Sequence, residues 1–224
     1  RIKSRKLQEL NGESSKLIDQ QNIAYSNIDL GRGAYGIVRK GTLFGDIDVA
    51  LKVPAAGKSL NNERSINEEM SHRARTVPYL GHYGNAKSDN LIFKFCTGGD
   101  LDSLLLKTNM NFADSLTILI EVSRSLAIFH HFKIAHLDIK PENVMIGCYG
   151  TNDRQAYIGD MGLSKKIHGP QESPMLGTEE YMSPEMLGAT KELVSFDKSD
   201  VYSFGLLILD MMEGRRRHRP YTYK

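Results

Sequence analysis

The sequence is poor in the features that mark membrane, disulfide-rich and repeat proteins. Its 224 residues contain only two cysteines and carry a net charge of only +2. No window approaches the ~18 consecutive apolar residues that a membrane span needs, and no charged-then-apolar segment typical of a signal peptide opens the chain. Internal repeats and low-complexity tracts are also absent. With 40% hydrophobic and 25% charged residues, the composition predicts one sizeable globular domain or two small lobes.

The few cysteines and the modest charge also restrict the location and partners that we expect. Cys96 and Cys148 have no metal-ligand spacing, so they predict reduced thiols in an intracellular protein. We therefore expect a cytoplasmic location, with the nucleus as the alternative.

The net charge argues neither for nor against a nucleic-acid partner. Basic residues cluster near both ends, and such runs are more often solvated faces than binding patches, so we expect no nucleic-acid partner. They are Arg1, Lys3, Arg5, Lys6, Arg215, Arg216, Arg217 and Arg219. Because the chain begins with arginine and not methionine, we expect a fragment, a processed chain or a trimmed form.

One octet, His136-Leu137-Asp138-Ile139-Lys140-Pro141-Glu142-Asn143, carries the clearest chemical signal. It places a carboxylate, an ammonium and a side-chain amide within one short loop. Asp138 would orient a hydroxyl group and accept its proton, Lys140 would stabilise a transferred phosphoryl group, and Asn143 would ligate Mg²⁺. The alternative is a surface turn with Pro141 after a helix.

A glycine-rich stretch, Gly31-Arg32-Gly33-Ala34-Tyr35-Gly36-Ile37-Val38, precedes the octet in the chain. Glycine allows backbone N–H groups to approach phosphate oxygens without a Cβ clash. The pattern also occurs in dinucleotide-binding folds, where a helix follows it. Residues 39–42 indicate a second strand after a hairpin, which speaks against that fold. The alternative is a glycine-rich hairpin without a ligand.

The segment Val49-Ala50-Leu51-Lys52-Val53 predicts a strand with one lysine among apolar residues. A buried ammonium needs an anionic partner, which phosphates or a helix glutamate would supply. A helix predicted over residues 62–75 offers Glu63, Glu68 and Glu69. Spacing favours Glu69 or Glu68, and the apolar neighbours of Glu69 favour it over Glu68. The alternative is that these glutamates form the solvated face of the helix.

Further along the chain, periodicity predicts the elements that surround the octet. Apolar residues recur at helical spacing over residues 112–133, and this helix leads directly into the octet. Two short strands, at residues 144–146 and 156–158, follow. Asp160 comes just past the second strand and next to glycine, where a carboxylate can reach a metal ion.

Taken in order, these motifs resemble a eukaryotic-type protein kinase of the Ser/Thr type, over about residues 23–221. The supporting motifs are the glycine-rich stretch, V-A-L-K, G-G-D-L, H-L-D-I-K-P-E-N, D-M-G, G-T-E-E-Y-M-S-P-E and D-V-Y-S-F-G. The resemblance implies an α+β, two-lobed fold with ATP in the cleft. An N-terminal extension (1–22) would precede a small antiparallel sheet lobe with one helix (23–95). A mainly helical lobe (96–224) would follow, ending about three helices before the family pattern does.

The resemblance also assigns roles to individual residues. Lys52 would bind the α- and β-phosphates, Phe93 would be the gatekeeper, and Asp100 would reach the ribose. The residues implied to bind ATP are Gly31, Arg32, Gly33, Gly36, Val38, Ala50, Lys52, Glu69, Phe93, Lys94, Cys96, Asp100 and Met145. Asp138 and Lys140 would be catalytic, and Asn143 and Asp160 would ligate Mg²⁺.

The implied activity is ATP- and Mg²⁺-dependent transfer of the γ-phosphoryl group to a protein hydroxyl. Lys140 matches the Ser/Thr pattern, and Thr178 matches a substrate-loop threonine whose hydroxyl commonly bridges the Asp and the Lys. The spacing of the first two motifs resembles the tyrosine-kinase-like group. The alternative function is a catalytically weak or inactive kinase-fold module that binds a partner.

Three departures from the family pattern bear on activity. Leu137 replaces an arginine that normally pairs with a phosphorylated activation-loop residue, so we expect no switching through that ion pair. Met161 replaces a phenylalanine, and its flexible apolar side chain can fill the same gap. Arg73 stands one turn after Glu69, where the family has an apolar residue, which puts the helix register or the active state in doubt.

Overall fold

The computed structural model describes residues 17–33, 35–85, 88–108, 110–147, 155–188 and 193–214. The chain divides into two compact units. One unit contains the chain up to His72 together with Thr76–Phe95, and the other contains Arg73–Arg75 and the chain from Cys96 onwards. The terminal basic runs, Cys148 and most of the expected N-terminal extension lie outside the described residues.

The first unit is built on a five-stranded antiparallel sheet with the order β1-β2-β3-β5-β4. Its strands are β1 (Ile23–Gly33), β2 (Gly36–Leu43), β3 (Ile47–Pro54), β4 (Tyr79–Asn85) and β5 (Ser88–Lys94). Alternation along β3 buries Ile47, Val49 and Leu51, as expected for a strand with one face on a core. These residues pack with Leu43 and Ile92 in one apolar cluster. The sheet therefore fixes the direction in which Lys52 points.

Helix α1 (Asn61–Met70) is the helix of the first unit and is shorter than predicted. It buries Ile66 and Met70. The predicted extension to residue 75 is wrong because Arg73–Arg75 belong to the other compact unit. The polar sequence at residues 71–75 offers no apolar face that would hold a further helical turn.

The second unit is mainly helical, with α2 (Leu101–Lys107), α3 (Phe112–His131) and α4 (Phe196–Glu213). The Asn111 side chain caps α3 by accepting a hydrogen bond from the Asp114 N–H at 2.8 Å. Helix α4 ends at Glu213, and Gly214, which caps it, has a φ of 64°. Two antiparallel strand pairs complete the unit: β6 (Ile134–Ala135) with β9 (Lys165–Lys166), and β7 (Val144–Ile146) with β8 (Ala156–Ile158).

The core of the second unit holds the chain on both sides of the octet. Ile139, Val144 and Ile158 are buried in one cluster with residues of α3 and α4, including Val122 and Leu207. The sheet with one helix in the first unit and the mainly helical second unit confirm the predicted α+β class. In the part of the chain that the structure describes, no helix is both long and apolar enough to cross a lipid bilayer.

Candidate active site

Asp138 lies at the centre of a cluster of polar side chains. Its Oδ1 accepts a hydrogen bond from Thr178 Oγ1 at 2.7 Å, and its Oδ2 accepts one from Asn143 Nδ2 at 2.8 Å. Lys140 Nζ is 3.0 Å from Oδ2 and donates to Thr178 Oγ1 at 2.7 Å. Both carboxylate oxygens thus have fixed partners, so the side chain is held in one orientation.

Asp200 of α4 anchors the backbone just before Asp138. Its carboxylate is fully buried and accepts hydrogen bonds from the backbone N–H groups of His136 and Leu137, both at 2.8 Å. His130 Nε2 is 2.9 Å from the same carboxylate. Leu137 has a φ of 66°, a left-handed conformation that costs a leucine free energy, and the bonds to Asp200 offset that cost. This role of Asp200 was not predicted from the sequence, because the helix carries other acidic residues, among them Asp197 and Asp210.

Gly177 allows the loop of residues 177–185, the substrate loop, to approach the octet. It has a φ of 122°, and a Cβ at this position would lie 2.6 Å from the Leu137 carbonyl oxygen. Both the conformation and the close approach exclude other residue types. The next residue is Thr178, so this contact helps to place its hydroxyl beside Asp138.

Asn143 and Asp160 are brought together by the β7–β8 pair. The N–H of Gly159 donates to the carbonyl of Asn143 at 2.8 Å, and His136 Nε2 is 3.0 Å from the carbonyl oxygen of Gly159. The described residues hold no group of three or more His, Cys, Asp or Glu side chains that would bind a metal ion alone. One amide and one carboxylate nevertheless fit Mg²⁺, which prefers oxygen ligands and takes the remainder from water and phosphates.

In the first unit, Lys52 pairs with Glu63. Its Nζ lies 2.8 Å from Oε1 and 2.7 Å from Oε2, and the two side chains are 7% and 2% exposed. The prediction of Glu69 is therefore wrong, and so is its alternative, Glu68, which instead lies 3.6 Å from Arg64. Glu68 and Glu69 lie in the middle of the predicted helix, whereas Glu63, in the first turn of α1, faces Lys52.

This pairing also changes which residue stands one turn after the glutamate. It is Asn67, which is buried, and not Arg73. Asn67 Nδ2 donates to the carbonyl of Glu63 at 2.9 Å. The departure from the family pattern at Arg73 thus came from a wrong helix register. In the corrected register the position is Asn67, which is still polar where the family has an apolar residue.

The glycine-rich hairpin leaves space at two of its glycines. A Cβ at Gly31 or Gly33 would meet no described heavy atom within 4 Å, and neither residue has a left-handed φ. At Gly36, by contrast, a Cβ would lie 2.1 Å from the Val53 carbonyl oxygen. Packing thus requires glycine at position 36, whereas a closely approaching ligand would explain it at positions 31 and 33. Arg32, between them, lies 3.5 Å from Asp29.

The other predicted ATP-binding residues of the first unit lie on adjacent strands. Val38 is paired with Lys52 between β2 and β3, and Ala50 is paired with Phe93 between β3 and β5. Lys94 ends β5, and burial lowers the pKa of its ammonium group. The strand register thus collects these side chains in the centre of the sheet.

Asp100, Met145 and Cys96 belong to the second unit. Asp100 caps α2, since its Oδ1 accepts from the Ser103 N–H at 2.7 Å and its Oδ2 from Ser103 Oγ at 3.0 Å. Asp100 and Met145 are neighbours through an isolated β-bridge. Cys96 is disulfide-bonded, so the prediction of reduced thiols is wrong. The segment after Cys96 packs against the end of β7, with the Gly98 N–H donating to the Ile146 carbonyl at 3.0 Å, a proximity that spacing along the chain does not reveal.

The sequence was compared with protein families and with individual proteins, and the matches are protein kinases. Residues 26–222 match the family described as protein kinase domain. The chain is 33% identical over 203 residues to leaf rust 10 disease-resistance locus receptor-like protein kinase-like 2.4 of Arabidopsis thaliana (84% of this chain, 32% of the relative). It is 31% identical over 209 residues to rust resistance kinase Lr10 of Triticum aestivum (85% and 32%). It is 30% identical over 203 residues to a G-type lectin S-receptor-like serine/threonine-protein kinase of Arabidopsis thaliana (84% and 24%).

The chain spans about a third or less of the length of these three relatives. The family match, however, covers most of the chain itself. It runs through the glycine-rich hairpin, Lys52 and the cluster around Asp138. The chain therefore belongs to the eukaryotic protein kinase family.

Proposed function

We propose that the chain is an ATP- and Mg²⁺-dependent protein serine/threonine kinase. The observation that carries this proposal is the arrangement of Lys140, Asn143 and Thr178 around the carboxylate of Asp138. One relative is itself named a serine/threonine-protein kinase, which supports the acceptor class. The reaction would form a bond between a substrate hydroxyl oxygen and the γ-phosphorus of ATP, and would break the bond between that phosphorus and the ADP oxygen.

The cluster can perform the proton and charge steps of this transfer. Asp138 would accept a hydrogen bond from the substrate hydroxyl and take its proton as the oxygen attacks. Lys140 Nζ is 3.0 Å from Asp138, so its positive charge would lie beside the phosphoryl oxygens as they become more negative. Because three side chains already orient the carboxylate, little reorganisation is needed when the substrate binds.

Other residues would hold the nucleotide and its metal ion. Lys52, fixed by Glu63, would bind phosphate oxygens, and the open space above Gly31 and Gly33 would admit the phosphates close to the backbone. Asn143 and Asp160 would hold Mg²⁺, which supplies neutralisation of phosphate charge when bound.

One observation favours the second candidate, a catalytically weak or inactive kinase-fold module. Asn67, one turn after the glutamate that pairs with Lys52, is polar and buried, where the family has an apolar residue. A less firmly held α1 would lower turnover without abolishing nucleotide binding.

Single-turnover transfer from labelled ATP with Mg²⁺, to the chain itself and to a generic basic protein, separates the two candidates. Asp138→Asn removes the base and should lower the rate by about 10²–10⁴-fold. Asp114→Asn, in the first turn of α3, is the matched control and should leave the rate unchanged. Equal transfer by wild type and Asp138→Asn would contradict the proposal. Absence of transfer with thermal stabilisation by ATP would favour the inactive module.

A further inference from the structure

Strand β8 is a short, buried strand that ends two residues before Asp160. Ala156 and Ile158 are each 1% exposed. On one side β8 pairs with β7, so that Ile158 lies opposite Val144, and the hydrogen bond from the Gly159 N–H to the Asn143 carbonyl continues that side. In an antiparallel pair, alternate N–H groups point away from the partner strand. The N–H groups of Ala156 and Ile158 therefore need acceptors on the other side.

No strand covers that side among the described residues; two residues from elsewhere in the chain provide the acceptors. Glu121 Oε2 of α3 accepts a hydrogen bond from the Ala156 N–H at 2.5 Å. The carbonyl oxygen of Arg75 accepts one from the Ile158 N–H at 2.9 Å. The two acceptor residues are linked in turn, since Arg75 Nη1 lies 3.2 Å from Glu121 Oε1. One carboxylate oxygen of Glu121 thus accepts from β8 and the other pairs with Arg75. The ion pair therefore links the two residues that bind the N–H groups along the unpaired edge of β8.

The edge of β8 is connected to Asp160 by a very short path. Only Gly159 separates Ile158 from Asp160, and Gly159 is held at both its N–H and its carbonyl group. Asp160 itself has a φ of 52°, a conformation that persists only when its surroundings enforce it. The position of its carboxylate therefore depends on where β8 lies.

We infer that Glu121 and Arg75 are positioning residues for the metal-binding carboxylate of Asp160. This inference rests on the proposed function, because it assigns a metal ion to Asp160. Groups that orient a metal ligand typically change metal affinity by 10–100-fold when mutated. Because Glu121 and Arg75 act through the backbone of β8, we expect about 10-fold, the lower end of that range.

The test measures Mn²⁺ binding by electron paramagnetic resonance, on the full chain saturated with a non-hydrolysable ATP analogue. Glu121→Ala should weaken Mn²⁺ binding about 10-fold, and Glu121→Gln, which keeps an acceptor for Ala156, should weaken it less. Arg75→Ala should also weaken it. Arg73→Ala is the matched control, since the Arg73 guanidinium lies over the Phe132 ring, and it should bind Mn²⁺ as wild type does. Affinity for the analogue without metal should be equal in these variants.

Asp160→Asn separates failure of this inference from failure of the proposed function. Equal Mn²⁺ affinity in wild type and Asp160→Asn would overturn the metal site and the inference together. Weakened binding in Asp160→Asn, with wild-type binding in Glu121→Ala, would overturn the inference alone. If Glu121→Ala does not fold, Glu121→Gln and Arg75→Ala decide, and wild-type affinity in both would overturn the inference.

Discussion

The buried Lys52–Glu63 pair allows a sharp test, because the sequence favoured a different glutamate. At 2.7–2.8 Å and an effective dielectric constant of about 20, the direct attraction is about 6 kcal/mol. Desolvation of both groups offsets much of this. Removing one partner still leaves an uncompensated buried charge, which typically costs about 3–5 kcal/mol. Glu63→Gln keeps a hydrogen-bond acceptor, so we expect the free energy of unfolding to fall by about 3 kcal/mol.

The measurement is urea unfolding of the full chain, followed by far-ultraviolet circular dichroism. Glu69→Gln is the matched control, since Glu69 is only partly buried and lies on the same helix. It should cost less than about 1 kcal/mol, as partly exposed ion pairs usually do. A double variant, Lys52→Met with Glu63→Leu, should be more stable than Glu63→Gln alone, because it leaves no unpaired buried charge.

The reasoning would be refuted if Glu69→Gln destabilised the chain as much as Glu63→Gln, or more. The same outcome would restore the pairing that the sequence favoured. Losses in the Lys52→Met and Glu63→Leu single variants that add up to the loss in the double variant would show that Lys52 and Glu63 do not interact.

Three further predictions concern the substrate loop, the loop before it and the first unit. Thr178→Val removes the hydroxyl that links Asp138 to Lys140, and steady-state kinetics should show kcat lowered by roughly 10–100-fold with an unchanged KM for ATP. Because Leu137 offers no guanidinium, Ser173→Ala and Ser173→Asp should have equal transfer rates; activity that Ser173→Ala abolishes and Ser173→Asp restores would contradict this. Burial lowers the pKa of His82 below its ordinary value of 6.5, so the imidazole binds a proton more readily in the unfolded state than in the folded state. The free energy of unfolding should therefore fall as the pH drops below about 6.5. Urea unfolding at pH 7 and pH 5 should show a smaller fall in the free energy of unfolding for His82→Asn than for wild type. An equal fall in both would refute the assignment of this pH dependence to His82.

Local patterns in the sequence sufficed for much of the fold and for part of the site. Periodic apolar residues predicted α3 over residues 112–133, and it spans Phe112–His131. The predicted lysine strand is β3, and its alternation already indicated that Lys52 is surrounded by apolar groups. Asp138, Lys140 and Asn143 lie within six consecutive residues, so one short loop brings them together whatever the rest of the chain does.

Contacts between distant residues were decided only by the tertiary structure. The partner of Lys52 depends on where α1 begins and which turn faces β3, and the residue pattern left three glutamates available. Asp200 and Thr178 are 63 and 40 residues from the groups that they bind, and the hydrogen bonds of Arg75 and Glu121 to β8 span 83 and 35 residues of the chain. The sequence by itself thus determined the chemical groups of the octet, because they follow from short-range spacing, and it implied the class of fold through the ordered motifs that carry the family resemblance. Only the tertiary structure decided which distant side chains orient those groups, because packing of the two cores sets these distances.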